Sequence, residues 1–316
     1  MVPAPVLILM ATFNGAQFLP EQLDGIARQT HRDWRLLVSD DGSQDGTRAI
    51  LEGFRASRPA GQVRLVAGPG SRGAAGGPAA NFLSLLQRAE PQEHGHQGTF
   101  LAFCDQDDAW DADHLARALG LLAHAGTPLA LCGCRMRICD ADLRPRTLSP
   151  LPRRPLGFRN ALLQNVLSGN TMVASPEAAR LLQAAAGDGV EEIPAHDWWA
   201  YQIVTGAGGQ ALHDAHPSVA YRQHDTNAVG AAPGGLQRAL RHLRGEPRRW
   251  AARNIAALRA SAARLTPENR RIFTQFVHAL ETPFPLRIVA LRSAGVYHQS
   301  PQARAAFWAS VALGRF

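Results

Sequence analysis

Three carboxylates in the run Asp105-Gln106-Asp107-Asp108 directly follow an apolar stretch, Phe100–Cys104. Acids packed this closely repel one another unless a cation neutralises them. Hard divalent ions such as Mg²⁺ and Mn²⁺ take oxygen ligands and commonly bridge one or two carboxylates to a diphosphate. The competing use of such acids is to cap the next helix. Asp111 is better placed to cap a helix expected from Ala112, which leaves the other three for a metal. A second acidic pair, Asp40-Asp41-Gly42-Ser43, ends another apolar stretch. Alone it would be an Asx turn leading into a helix. Beside another acidic terminus it can grip a nucleoside, because a carboxylate accepts hydrogen bonds from a base N–H or a ribose hydroxyl. His196-Asp197-Trp198-Trp199 opens an apolar helix through Ile203. There Asp197 suits the positive end of the helix dipole and the tryptophans suit a core. In Arg222-Gln-His224-Asp225-x-Asn227, the neutral imidazole of His224 is either a satisfied polar group or a Mn²⁺ ligand.

The elements needed to position these residues are visible in the periodicity. Val6–Ala11, Arg35–Ser39, Val63–Val66, Phe100–Cys104 and Leu129–Ile138 read as buried strands, and helical spacing fills the intervals between them. Ser218–Tyr221 is a further strand-like run. The alternation predicts an α/β fold with a mostly parallel sheet covered on both faces. Ligands of such sheets bind beyond the carboxyl ends of the strands. Thr12-Phe13-Asn14-Gly15, Asp40–Ser43 and Asp105–Asp108 all lie at those ends, and this convergence is what predicts a site. No G-x-G-x-x-G follows the first strand, which argues against a dinucleotide-binding dehydrogenase. The Gly/Ala/Pro-rich segment 68–78 reads as a mobile lid.

The 316 residues suit two domains or one large α/β domain with an appendage. With 46% hydrophobic and 19% charged residues, the chain can bury a sizeable core. All 33 basic residues are arginine. The absence of lysine excludes Schiff-base chemistry, a Walker-type phosphate site and a kinase strand lysine. Residues 236–316 carry 14 arginines against Glu246, Glu268 and Glu281, an excess of +11, whereas the preceding residues total −4. A basic region on a slightly acidic body predicts a polyanionic partner, nucleic acid or an anionic membrane surface. The best apolar stretch, Ala118–Cys134, is interrupted by His124, Gly126 and Pro128 and falls short of a membrane span. The N-terminus has no basic flank and reads as a strand instead of a signal peptide. Four cysteines make no disulfide framework, so a cytoplasmic location is expected. Cys132, Cys134 and Cys139 read as buried thiols, and His213 and His216 as surface residues without a third ligand.

Taken in order, "SDDGSQDGT", "FCDQDDAW", "SGNTMV", "HDWW" and "YRQHDTN" resemble the family 2 inverting glycosyltransferases of GT-A fold, rhamnosyltransferase-like branch. The resemblance runs from about Val6 to Gly230. It implies an inverting transfer from a nucleotide-diphosphate sugar, with Mn²⁺ or Mg²⁺ between the Asp-x-Asp motif and the diphosphate. Carried over by position, Thr12 and Asn14 line the nucleotide pocket, Asp41 contacts the base with Asp40 beside it, and Asp105 faces the sugar or ribose. Asp107 is then the principal metal ligand, with Asp105 and His224 as further ligands. Asp197 matches the general base that takes the acceptor hydroxyl's proton, and Trp198 or Trp199 would line the acceptor, with at least one of them packed in the core. Relatives carry an arginine shortly before the helix at Asn81; Gly76-Gly-Pro-Ala-Ala stands there in this chain, and Arg72 is the nearest substitute.

The expected layout is a GT-A catalytic domain over 1–232, divided into a nucleotide-sugar half (1–110) and an acceptor half (111–232), then a basic helical region over 233–316. The expected reaction moves rhamnose or another deoxysugar to a hydroxyl of a cell-surface glycan or lipid-linked acceptor. The alternatives are a sugar-phosphate nucleotidyltransferase, which normally needs a lysine, and a non-enzymatic membrane or nucleic-acid adaptor. In the basic region Thr266-Pro267 and Ser300-Pro301 read as helix starts. Leu240, Leu243, Trp250 and Leu258 are the candidate apolar anchors, with Pro247 breaking the run. The region reads as a helical cap whose arginines also meet an anionic membrane surface, placing the protein peripherally on the inner face of the cytoplasmic membrane. No nucleic-acid partner is expected.

Overall fold

The computed structural model describes residues 4–70, 77–89, 98–190, 193–224 and 246–314, with backbone only over 246–251. Arg72, Leu240, Leu243 and the Trp250 side chain lie outside the described residues, as does most of the segment read as a lid. One mixed sheet organises the fold. Its strands are β1 (Val6–Thr12), β2 (Trp34–Asp40), β3 (Val63–Ala67), β4 (Phe100–Cys104), β5 (Ala109–Trp110), β6 (Ala130–Cys139), β7 (Pro145–Leu148), β8 (Val173–Ala174) and β9 (Gln210–Arg222). The spatial order is β3-β2-β1-β4-β8-β6-β9-β5, with β7 paired to the last residues of β6.

The first four strands are parallel, as the alternation predicts. The second half departs from it. β8 enters antiparallel between β4 and β6, β6 and β9 run parallel, and β5 pairs antiparallel with β9. Strands of two residues are too short to show a period, so β5 and β8 leave no trace in the hydrophobic pattern.

Successive side chains of a strand face opposite ways, and β1 feeds both layers. Val6, Ile8 and Met10 pack with Leu23, Trp34 and Leu115 on one face. That face is covered by α1 (Leu19–Ala27), α2 (Thr47–Ala56) and α4 (His114–Ala123). Leu7 and Leu9 join Phe82, Phe103 and Trp199 on the other, under α3 (Gly77–Arg88), α6 (Pro176–Ala186) and α7 (His196–Gly206). The short α5 (Phe158–Ala161) lies before a 3₁₀ turn at Gly169–Thr171.

Among the described residues four more helices join the second layer: α8 (Glu246–Ala260), α9 (Pro267–Glu281), α10 (Leu286–Ala294) and α11 (Pro301–Ala312). Thr266 and Ser300 cap α9 and α11 as expected, accepting the Asn269 and Ala303 N–H groups at 3.2 and 3.1 Å, each followed by proline. One expectation fails in this region. Leu258, a candidate exposed anchor, is 1% exposed and belongs to the same core as Leu7 and Phe82. Pro247 lies in the first turn of α8, where its missing N–H costs nothing. Phe276, Leu291 and Phe307 extend that core. Arg264 clasps Asp188 at 2.5 and 2.6 Å, and Asn269 donates to the Thr205 and Gly206 carbonyls at 3.1 and 3.0 Å.

Asp111 does not cap α4. The cap position is Asp113, without a side-chain bond, and Asp111 instead forms a two-pronged ion pair with Arg137 at 2.6 and 2.8 Å. All four cysteines are free and buried, as read. Among the described residues no helix is long and apolar enough to cross a membrane.

Candidate active site

The carboxyl ends of β1, β2 and β4 lie side by side, and their loops are tied together by side chains. Asn14, in the left-handed region at φ 47°, turns the chain after β1. Its N–H donates to Ser43 Oγ at 2.9 Å and its amide oxygen accepts from the Gln44 N–H at 2.8 Å. The Gly15 and Ala16 N–H groups reach Thr47 Oγ1 and Asp45 Oδ2 at 2.8 and 3.0 Å. Asp40, at the end of β2, accepts from the Thr12 hydroxyl at 3.3 Å, the Arg48 Nε–H at 2.7 Å, the Ser43 N–H at 3.1 Å and, closely, the Ser43 hydroxyl. Burial alone would raise its pKa, but the Ser43 and Arg48 donors together hold it below the ordinary carboxylate value. Asp41 is buried and accepts the Gly70 N–H at 2.7 Å. The chain leaving β3 passes so close that a Cβ on Gly68 would stand 2.6 Å from the Asp41 Cα.

The acidic loop after β4 is pinned from both sides. Gln106 exchanges hydrogen bonds with the backbone of Phe13, accepting its N–H and donating to its carbonyl at 3.0 Å each. Asp108 is fully buried and accepts from the Asn170 amide at 2.5 Å and the Arg222 N–H at 3.0 Å. Burial, with Asp107 beside it, pushes the Asp108 carboxyl up to about 8 against the relief of those donors. Arg222 is itself buried. Its Nε–H donates to the Asp107 carbonyl at 2.8 Å, its other nitrogens reach the Ala141 carbonyl and Glu21, and its guanidinium lies 4.5 Å above the Phe18 ring.

Asp107 Oδ2 lies 3.0 Å from His224 Nε2, and the imidazole packs on Phe18 at 4.6 Å between centroids. Burial, and then the fields of Asp108, Asp107 and Asp197, raise Asp105 well above the ordinary carboxylate range. A carboxylate and an imidazole side by side, next to an acid that its neighbours disfavour, form a donor set suited to a hard divalent cation with open positions for a ligand's oxygens. Among the described residues no cluster of three His, Cys, Asp or Glu side chains closes around a single point. Asp107 and His224 are the pair at this loop that could hold such a cation.

Asp197, in the first turn of α7, accepts the Gly169 N–H at 3.0 Å on one oxygen and the Trp198 N–H at 2.7 Å on the other. Gly169 is tightly seated, since a Cβ there would fall 2.3 Å from His196 Nε2. His196 stacks on Phe82 at 3.9 Å, and burial lowers its pKa, so it packs as a neutral ring. The two tryptophans part company. Trp199 is fully buried in the core, which removes it from any acceptor surface. Trp198 is half-buried and donates its indole N–H to the Ala161 carbonyl at 2.7 Å.

The structure thus brings Thr12, Asn14, Asp40 and Asp41 to one rim, and Asp105, Asp107 and His224 to the adjoining loop. Asp197 stands close enough to Asp105 to act on it electrically. Gln106, Arg222, Asn170 and Gly169 carry no assigned role in the sequence reading, although all four lie inside strings that carry the resemblance. Their work is to hold loops, which only the fold reveals.

Residues 7–186 match the sequence model of the family described as Glycosyl transferase family 2. The dTDP-rhamnosyl transferase RfbG of Shigella flexneri is 27% identical over 225 residues, covering 70% of this chain and 74% of that protein. An Escherichia coli enzyme, the UDP-Glc:α-D-GlcNAc-diphosphoundecaprenol β-1,3-glucosyltransferase WfgD, is 32% identical over 117 residues, 37% of this chain and 40% of that protein. Among solved structures, S. aureus TarS 1–349 in complex with UDP-GlcNAc aligns at TM-score 0.54 and 17% identity, over 85% of this chain and 70% of that one. The mannosyltransferase PcManGT of Pyrobaculum calidifontis, in complex with GDP-Man and Mn²⁺, aligns at 0.50 and 20%, over 99% and 81%. At these identities the structural likeness establishes the GT-A fold.

Proposed function

The chain belongs to glycosyl transferase family 2, and on that premise we propose that it is a metal-dependent inverting enzyme that moves rhamnose or another deoxysugar from a nucleotide diphosphate to a hydroxyl of a cell-surface glycan or lipid-linked acceptor. The observation that carries this reading is the crowding of Asp105, Asp107 and Asp108 directly after β4, with Asp107 Oδ2 3.0 Å from His224 Nε2. Such crowding of acids suits a site that receives a cation and, beside it, a group that must lose a proton. The likeness to RfbG supports a rhamnose-type donor, and the likeness to WfgD supports an acceptor carried on a lipid diphosphate.

In this mechanism the rim of residues 1–110 holds the nucleotide. Asp41 accepts from the base and Asp40 fixes the turn beside it, while Thr12 and Asn14 shape the pocket through their bonds to Asp40 and Gln44. Asp105 meets the sugar or ribose. Asp107 and His224 would hold a Mn²⁺ or Mg²⁺ ion, whose positive charge would offset the negative charge of the diphosphate. Asp197, aimed by the Gly169 and Trp198 N–H groups, accepts the proton of the acceptor hydroxyl. The freed oxygen bonds to the anomeric carbon from the face opposite the diphosphate, and the diphosphate departs with its bonding pair. Trp198 borders the acceptor within 111–232. The basic region 233–316 meets an anionic membrane surface and keeps the enzyme near its acceptor.

The test is donor binding. Asp107→Ala is expected to abolish Mn²⁺-dependent binding of nucleotide diphosphates in calorimetry, because it removes the principal oxygen ligand. Unchanged affinity in the variant would overturn the metal assignment. A hydrolysis screen over dTDP-, UDP- and GDP-sugars identifies the donor.

A further inference from the structure

Helix α10, Leu-Arg-Ile-Val-Ala-Leu-Arg-Ser-Ala, is apolar on two opposite sides. Leu291 and Ala294 point into the core and are fully buried. On the outer side Leu286 and Val289 are 64% and 66% exposed, and Phe284 in the preceding turn is 56% exposed. A helix with apolar residues on two opposite sides is ordinarily covered on both, and neighbouring large apolar side chains in solvent mark an interaction surface.

Charge decides what covers it. Residues 282–314 contain no acid and include Arg287, Arg292 and Arg304. The body adds Arg154, whose guanidinium lies 4.1 Å above the Tyr297 ring. The last acid before the patch, Glu281, faces Arg259 at 3.7 Å. An apolar face on a helix that carries Arg287 and Arg292 and no acid matches the layering of an anionic lipid surface, with hydrocarbon below and phosphate above. A second copy of this chain would bring the same arginines face to face, which disfavours self-association.

We propose that the outer face of α10, with Phe284, is the surface through which this protein seats on an anionic bilayer. The proposal rests on the membrane reading above and replaces buried Leu258 with residues free to insert. Flotation with vesicles of phosphatidylcholine alone, or with phosphatidylglycerol added, tests it on the full chain. The wild type is expected to bind the anionic vesicles in a salt-sensitive way. The triple variant F284S/L286S/V289S should partition at least about tenfold less, since three inserted apolar side chains are lost. Its thermal melt and donor hydrolysis should not move, because these side chains are outside the core and the site. As an independent readout, the full chain carrying V289W should show a blue shift in fluorescence on meeting anionic vesicles, relative to the wild type. If the wild type ignores anionic vesicles, the membrane reading falls and takes the patch with it. If the wild type binds and the triple variant binds equally well, the patch is wrong while the membrane reading stands. A concentration-dependent dimer that the triple variant abolishes would instead make this face a self-association surface and overturn the proposal.

Discussion

Both oxygens of Asp197 accept a backbone N–H, one from Gly169 and one from Trp198, so the carboxylate enters the site already oriented. Asp197→Asn keeps the side chain's shape but cannot take a proton. Transfer is expected to fall by on the order of 10² to 10⁴ while donor affinity stays near that of the wild type, as steady-state rates and calorimetry would measure. Retained turnover would move the base elsewhere, with His196 and Asp225 the next candidates. Read without kin, Asp197 is an ordinary first-turn acid; only its place in "HDWW" singles it out. Trp198 and Trp199 carry identical side chains in adjacent positions, and the sequence offers no means of telling them apart. The turn of α7 sends one into the core and leaves the other half-buried. Arg222 was hidden for a related reason, because a buried arginine and a solvated one look alike until the carbonyls around them are in place.

The loops after β1, β2 and β4 function as one element. Gln106 holds the first loop, Ser43 and Asp45 hold it from the second, and the chain beyond β3 presses on Asp41 through Gly68. In Gly68→Ala the new methyl would meet the Asp41 backbone, which cannot swing aside as a side-chain tip would. A loss of about 1–3 kcal/mol in stability is expected from such overpacking, together with weaker nucleotide binding. Thermal melts and titration with a nucleoside diphosphate measure the two effects, and a variant unchanged in both would refute the close approach. These strand ends were legible because long apolar runs stop abruptly at polar residues. The bonds between the loops were not, since they join residues far apart in the chain and follow no local period.

Across the whole molecule, the body and the C-terminal helices share one core, so the arginine-rich region is structural as well as cationic. Ending the chain after Gly235 would strip Leu258, Phe276 and Phe307 from that core. The shortened protein is expected to melt at lower temperature and to expose apolar surface to a fluorescent probe. A melt equal to the full chain's would show that the cap is separable. Arg264 supplies a gentler test. Its bonds to Asp188, helped by its charge, hold that carboxyl below the ordinary value despite partial burial. The stabilisation is therefore complete above the ordinary carboxylate range and fades as pH falls through the lowered value. Asp188→Asn should cost about 1 kcal/mol near neutral pH, and the gap from the wild type should close in acid, as denaturant melts at several pH values would show. The charge excess of this region was plain in the sequence. Its burial was not, because arginine spacing hides which side of each helix meets the body.

The order of the sheet also imposes an order in time. Asp108 is held by the N–H of Arg222, 114 residues further on, and β5 beside it is paired with Val219 and Ala220. On the ribosome the acidic loop emerges with its carboxylates crowded and its clasp not yet made. A donor nucleotide can then favour the native state only once β9 has been synthesised and docked, because a ligand stabilises only a conformation that can bind it. The early half of the chain must stay soluble through synthesis without help from its own substrate.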